Sequence, residues 1–356
     1  MNILIMKSLN YFILIFILFL SSFMLFGFSD SFTYQKEYNG IIEHLSFNTL
    51  IAFPEKALSF KNTNSSFFDE TKITPNEFKN ILTELYCNDY ILININELFF
   101  IENDIVYTKK LTLPINKKPI ILSFDNVSYH SDYQNTGEID KIIIDRNNQL
   151  ATYTTKRSIQ DRICHDNEFI PILENFISEH PDFSHNSARG IIFLTGNNGI
   201  LGYETNEKNA NSKHELKRVS EVVSRLKSNG WIFGCNNYKY TNDDSLSDME
   251  FIKNISLWQK EIKRIVGSTP LYTPPFGELS NSPAKTQTLI ENGFRIFFTN
   301  SHKHILELDN NTIVMSRKFV SGNTLRNNSN SFEKLFNCEN VYDYKNRTVP
   351  FHKLTQ

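Results

Sequence analysis

The sequence predicts an α/β fold in which parallel strands are wrapped by helices, as a barrel or an open doubly wound sheet. Three observations carry this expectation. Short runs of β-branched and aromatic residues alternate with segments whose apolar residues fall at helical spacing. Glycines stand at helix ends. The residues that follow each strand are polar, as expected where the C-terminal ends of parallel strands converge on one face.

Taken in order, residues Tyr34 to Asn116 read as a mixed lead-in that includes Ile41 to Ile51 and the lone His44. Thr74 stands three residues before Glu77 with Pro75 between them, the pattern of a capping box, and predicts a helix through Leu82 and Leu85. Tyr90 to Ile101 is strand-like. Pro119 to Phe124 is a short buried-strand run, and Ile170, Leu173, Phe176 and Ile177 mark a helix over Phe169 to His180. Gly190 to Thr195 is the next strand, followed by a helical face of Leu216, Val219, Val223 and Leu226 that stops at Gly230. Trp231 to Phe233 begins another strand. Phe251, Ile255, Trp258, Ile262 and Ile265 form a helix stopped by Gly267. Leu271 to Thr273, a helix over Ser282 to Asn292, then strands at Arg295 to Thr299 and Thr312 to Ser316 complete the pattern. Asn323 to Asn330 reads as a loop, and the tail from Glu333 gives no clear pattern.

Composition narrows the classes. The chain has 356 residues, 40% hydrophobic and 21% charged, enough to bury a core. Its 37 basic and 39 acidic side chains leave a net charge of -2 with no basic stripe, so no nucleic-acid partner is expected. Tyr11 to Phe28 forms 18 consecutive residues without a charge, long enough to cross a bilayer, and no small-residue cleavage site follows. A retained membrane anchor through residues 11–28, with the bulk of the chain extracytoplasmic, is the expectation; a cleaved signal and secretion is the alternative. Cys87, Cys164, Cys235 and Cys338 are widely spaced, which excludes a zinc ribbon and favours buried thiols over disulfides.

The strand ends offer Asp125-Asn126, then `GNNG` with Asn197 and Asn198, `GCNNYKY`, `PPFG`, Asn300-Ser301 and Ser316-Arg317. In order and interval, `PIILSFDN`, `GWIFGCNNYKY` and `YTPPFG` resemble degraded forms of three motifs of the polysaccharide deacetylase family, carbohydrate esterase family 4. The resemblance spans about Glu43 to Arg326. It implies a distorted (β/α) barrel, with residues 1–30 as signal peptide or anchor, 31–116 as a lead-in packing on the barrel, 117–330 as the barrel and 331–356 as a C-terminal tail.

In that family one aspartate is a general base, a second aspartate and two histidines hold a divalent metal such as zinc, and an arginine orients the base. The metal acidifies its bound water and polarises the acetyl carbonyl. The resemblance places Asp125 on the base, Asn126 on the metal aspartate, Asn236 and Tyr240 on the two histidines, and Thr273 on the arginine. Asp125 is thereby expected to lack its charged partner, while Pro274, Pro275, Phe276 and Gly277 keep a hydrophobic wall. The family's late Leu-x-His is replaced by Met315-Ser316-Arg317. With all three metal ligands substituted, no metal cofactor is expected. His302 with His304, His130 with Asp132, and Asp243 with Asp244 are other candidate ligands, each without an identifiable third partner.

The implied function is an exported deacetylase-like protein without metal-dependent hydrolysis that binds a cell-envelope glycan through Asn126, Asn236, Asn237, Tyr238, Tyr240, Thr273, Pro274, Phe276 and Arg317. Amides pair with hydroxyls and rings stack on pyranose faces. The same amides can instead satisfy loop backbone. An active deacetylase using Asp125 and an envelope scaffold are the alternatives.

Overall fold

A computed structural model describes residues 34–129, 136–155, 157–205, 212–309 and 311–351. Seven strands form a closed parallel barrel. In chain order they are β1 (Glu43–Asn48), β2 (Lys118–Asp125), β3 (Ile191–Leu194), β4 (Ile232–Cys235), β5 (Leu271–Tyr272), β6 (Ile296–Asn300) and β7 (Thr312–Phe319). Each pairs with the next, β7 returns to β1 through Lys318 opposite Leu45, and β1 pairs with β2 along its whole length.

Closure between β2 and β3 is short. Only Ser123 and Phe124 meet Ile191 and Ile192, because the first half of the same β2 edge is taken by Tyr90–Leu92. This split edge makes the barrel distorted. The sheet is sealed without an exposed edge on that side.

Alternation along the strands sorts the apolar residues into two cores. Leu45, Phe47, Leu122, Phe124, Ile192 and Leu194 face outward and pack under the helices. Ile121, Ile191, Phe193, Leu271, Phe298 and Met315 face inward. The inner core continues into Ile91, Leu98, Phe99 and Val106, so the segment after the first helix plugs the N-terminal end of the barrel.

The helices covering the barrel are α1 (Pro75–Cys87), α2 (Phe169–Glu179), α3 (Ser212–Asn229), α4 (Asp248–Glu261) and α5 (Pro283–Glu291). The expected capping box at α1 is present: the Thr74 hydroxyl accepts from the Glu77 amide and the Glu77 carboxylate accepts from the Thr74 amide.

Several differences from the sequence reading are informative. Glu43–Asn48, placed within the lead-in, is a barrel stave, so the boundary at residue 116 does not separate the barrel from what precedes it. Tyr90 to Ile101 is broken by a turn at Ile95–Glu97, where the Glu97 carboxylate accepts from the Asn94 amide. Residues 141–164 form a three-stranded antiparallel meander of very short strands, which gave no periodicity to read. The C-terminal tail is tied into the body: Phe332, Leu335 and Val341 are buried, and Arg347 donates to the carboxylates of Asp69 and Glu77. All four cysteines are free, with Cys235 and Cys338 buried. No helix among the described residues is long and apolar enough to cross a membrane; the apolar run at residues 11–28 lies outside them.

One buried acid ties the meander side to β1. Glu168 is fully buried at the start of α2, where its carboxyl accepts from the amides of Phe169 (2.8 Å) and Leu50 (3.1 Å). Burial, aided by Glu138 and opposed by those amides and Lys72, pushes its pKa from 4.5 up to about 8. The folded state therefore holds a proton that the unfolded chain releases near pH 4.5. This contribution is complete below that pH and is lost as pH rises toward 8, by on the order of a few kcal/mol. We expect Tm to fall across this window in the wild type. Glu168→Gln should flatten the profile and raise Tm above the wild type at pH 8.5, as read by calorimetry.

Candidate functional site

The inner faces of the strands change from apolar to polar at their C-terminal ends. Asn48, Asp125, Thr195, Asn236, Thr273, Asn300 and Arg317 occupy this last layer. Asp125 is the final residue of β2 and is 5% exposed. It does not lack a charged partner, which corrects the expectation drawn from Thr273. Arg317, on β7 two strands away across β1, grips it in a fork: Nη1 donates to Oδ1 at 2.7 Å and Nη2 to Oδ2 at 2.8 Å.

Both terminal nitrogens of the guanidinium have further acceptors, while its buried Nε has no partner among the described residues. Nη1 also donates to Ser123 Oγ at 3.1 Å, and Nη2 to Thr273 Oγ1 at 2.7 Å and Asn300 Oδ1 at 3.1 Å. The rings of Phe193 and Phe298 lie 5.4 Å and 5.9 Å away. Below it, His44 Nε2 meets Ser123 Oγ at 2.9 Å. Burial, with Arg317 adding to the effect, lowers the His44 pKa well below its ordinary value, so this imidazole is neutral at physiological pH. A polar column, His44–Ser123–Arg317–Asp125, thus runs up the inside of the barrel.

Other candidate residues are also engaged internally. The Asn236 carbonyl accepts from the Asn126 amide (2.9 Å), and its amide donates to the Thr273 carbonyl (3.0 Å). Asn237 donates to Asp243 (2.7 Å) and accepts from the Tyr238 amide (2.6 Å). Both are fully buried, as is Thr273. The Tyr238 hydroxyl turns away to Glu261 (2.7 Å) while its ring borders the cavity. Pro274 is buried in the wall behind Phe276. Arg317 serves Asp125 and is 1% exposed, so no face is left for a ligand.

What remains open is a cavity of about 480 Å³ bordered by Asp125, Asn126, Asn197, Asn198, Tyr240 and Phe276. Its far wall is one that sequence reasoning missed: Lys72 pairs with Glu138 and donates to Thr49 Oγ1. These residues come from distant parts of the chain with no local motif to flag them. Phe276 is 59% exposed and its ring lies 5.2 Å from that of Tyr240. The Tyr240 hydroxyl is held protonated, since burial and the Asp125 charge push its pKa up.

The backbone around this cavity is strained. Asn126 (φ 53°), Tyr129 (φ 53°), Tyr240 (φ 52°) and Phe276 (φ 66°) all adopt the left-handed region. Such conformations cost roughly 1–3 kcal/mol each for non-glycine residues and collect at functional sites. Gly277 follows at φ 79°, where a Cβ would lie 2.3 Å from the Asn300 side chain, so only glycine lets Phe276 project over the mouth.

The residues at the family's metal positions do not fit a divalent cation. The Asn126 side-chain oxygen is a neutral amide that already accepts from Thr195 and Ser128, the Asn236 carbonyl is already an acceptor, and Tyr240 resists becoming a phenolate. No three His, Cys, Asp or Glu side chains converge on a metal-sized point among the described residues. His302 instead contacts Asn328 and Ser331, and Asp243 is buried against Asn237 and Tyr272. His130 and Asp132 lie outside the described residues.

No family model and no curated protein matches the chain. Among solved structures it is similar to a Streptococcus pyogenes deacetylase in complex with acetate, at 13% identity and TM-score 0.44, over 81% of this chain and 95% of that one. It is similar also to a de-N-acetylase from Aggregatibacter actinomycetemcomitans, at 12% identity and TM-score 0.46, over 79% and 95%. A CE4 family pseudoenzyme from Bacillus anthracis is a third, at 10% identity and TM-score 0.28, over 47% and 55%.

The buried pair makes a direct prediction. Arg317→Met leaves an uncompensated carboxylate in the barrel and should destabilise the protein by about 3–5 kcal/mol. Adding Asp125→Asn should recover a substantial part of that loss, giving a strong non-additive term in a double-mutant cycle measured by chemical denaturation.

Proposed function

We propose that this chain is a divergent, exported member of the polysaccharide deacetylase family that binds a glycan at the barrel mouth without metal-dependent hydrolysis. The observation that carries the reading is the strained presentation of Phe276 and Tyr240 over a cavity whose former catalytic positions are bonded among themselves. A ring 59% exposed beside a protonated phenol and cavity-lining amides is suited to a pyranose: the ring covers the apolar sugar face, and Asn126, Asn197 and Asn198, which also bond Thr195, Ser128 or each other, offer their remaining donors and acceptors to hydroxyl and acetamido groups. The Arg317 and Lys72 partners cancel the two nearest carboxylates, which favours an uncharged saccharide.

Metal-dependent hydrolysis is disfavoured at the positions of the metal ligands, where Asn126, Asn236 and Tyr240 offer neutral amides and a protonated phenol in place of a carboxylate and two imidazoles. The Arg317 fork by itself is compatible with a base, since each Asp125 oxygen keeps a second lone pair. Export is supported by the uncharged run at residues 11–28, which we read as a retained anchor.

Titration of the full chain with neutral N-acetylated oligosaccharides, followed by calorimetry, tests this. Phe276→Ala should weaken binding about tenfold, equivalent to about 1.4 kcal/mol, with Tm unchanged. Steady acetate release that disappears in Asp125→Ala would overturn the reading in favour of an active deacetylase.

A further inference from the structure

At the end of the barrel opposite the cavity, Phe99–Glu102 and Ile105–Thr108 form an antiparallel hairpin. Its two turn residues, Asn103 (φ 49°) and Asp104 (φ 64°), are both left-handed, the geometry of a tight hairpin that matches strand twist. One face of the hairpin is the barrel plug, with Phe99 and Val106 buried in the inner core. The other face is mostly apolar, with Glu102 as its one acidic residue, opposite Ile105. Phe100, Ile105 and Tyr107 are each 40% exposed, and the Phe100 and Tyr107 rings stack across the strands at 5.0 Å. A hairpin face turned to water alone would be expected to alternate to polar residues.

The nearby segment is rich in lysine. Between residues 99 and 118 stand Lys109, Lys110, Lys117 and Lys118 against Glu102 and Asp104; Asp104 is paired with Arg295 at 3.0 Å, Lys110 with Glu37 at 3.0 Å and Lys117 with Asp89 at 3.7 Å. Lys109 lies 5.7 Å from the Phe100 ring. An aromatic pair with an aliphatic neighbour and a lysine beside it is a composition suited to the interface of an anionic bilayer.

The path of the chain points the same way. Gln35–Glu37 pairs with Thr112–Pro114, three residues beyond the hairpin, and the Tyr38 amide donates to the Leu111 carbonyl. The chain therefore enters the body at the plugged end. Only residues 29–33 separate the uncharged run from Tyr34. Five residues span at most about 18 Å, so a bilayer-embedded run keeps this end of the barrel close to the membrane surface.

We infer that the exposed face of the Phe99–Thr108 hairpin seats the barrel on an anionic lipid surface, so that the glycan cavity at the other end opens away from the membrane. This rests on the reading of residues 11–28 as a retained anchor. The test uses the full chain in phosphatidylglycerol-containing vesicles that carry brominated lipid. Both native tryptophans, Trp231 and Trp258, are buried, so Phe100→Trp reports the hairpin and Phe276→Trp the mouth. Emission from the Phe100→Trp variant should shift to the blue and be quenched by the brominated lipid, and that from Phe276→Trp should not. Adding Ile105→Glu and Tyr107→Glu to Phe100→Trp should abolish the quenching while the protein still floats with the vesicles. Flotation without quenching of the Phe100→Trp variant overturns the seating and leaves the anchor standing. Failure to float overturns both.

Discussion

A carboxylate at the bottom of a closed barrel must be neutralised, hydrated or bound to a cation, because burial penalises the bare charge heavily. In this chain the requirement is met within the covalent structure. Arg317 delivers a fixed positive charge from β7 to Asp125 on β2, and the remaining donors of the fork fall on Ser123, Thr273 and Asn300. The neighbouring residues complete the arrangement. Thr273 accepts from the guanidinium, and Asn236 closes the gap between the β2 and β5 ends with two neutral hydrogen bonds. The result is a barrel mouth whose ion pair is closed internally, although Arg317 Nε and His44 Nδ1 have no partner among the described residues.

That pairing separates two layers of chemistry. The inner layer pairs Asp125 with Arg317 and surrounds the pair with neutral hydrogen-bonding groups. The outer layer, with Phe276, Tyr240, Asn126, Asn197 and Asn198, is strained and open. Strain of this kind persists only where the surrounding fold over-determines it. Here the fold does so through Gly277 against Asn300 and through the bonded Asn236–Asn126 pair. The open outer surface and the paired inner groups thus lie side by side at one end of the barrel.

Much of the architecture was legible because it rests on local signals. Strand runs such as Pro119 to Phe124, the Thr74–Glu77 capping box and the glycine stops at Gly230 and Gly267 all mark elements that form where expected. The β1 stave was harder to read: Glu43–Asn48 carries His44, Ser46 and Asn48 inward, so it was placed only within a mixed lead-in, and the polar column inside the barrel accounts for its polar face. Motif comparison located the mouth but could not say which amides were free. Asn236 and Asn126 look equivalent in sequence, yet one is consumed by backbone and the other borders the cavity. The partner of Asp125 was invisible for a related reason, since a pair 192 residues apart leaves no trace in spacing. The Lys72–Glu138 wall was hidden in the same way.

The central claim is that Arg317 neutralises Asp125 inside the barrel while Asn126, Asn236 and Tyr240 leave no donor set beside it that would hold a divalent cation. The most direct measurement is zinc binding by the chelator-treated full chain, by equilibrium dialysis with parallel melting curves. The account predicts no stoichiometric uptake and the same Tm with zinc as with chelator. One tightly held zinc per chain, accompanied by a rise in Tm that Asp125→Ala removes, would contradict it.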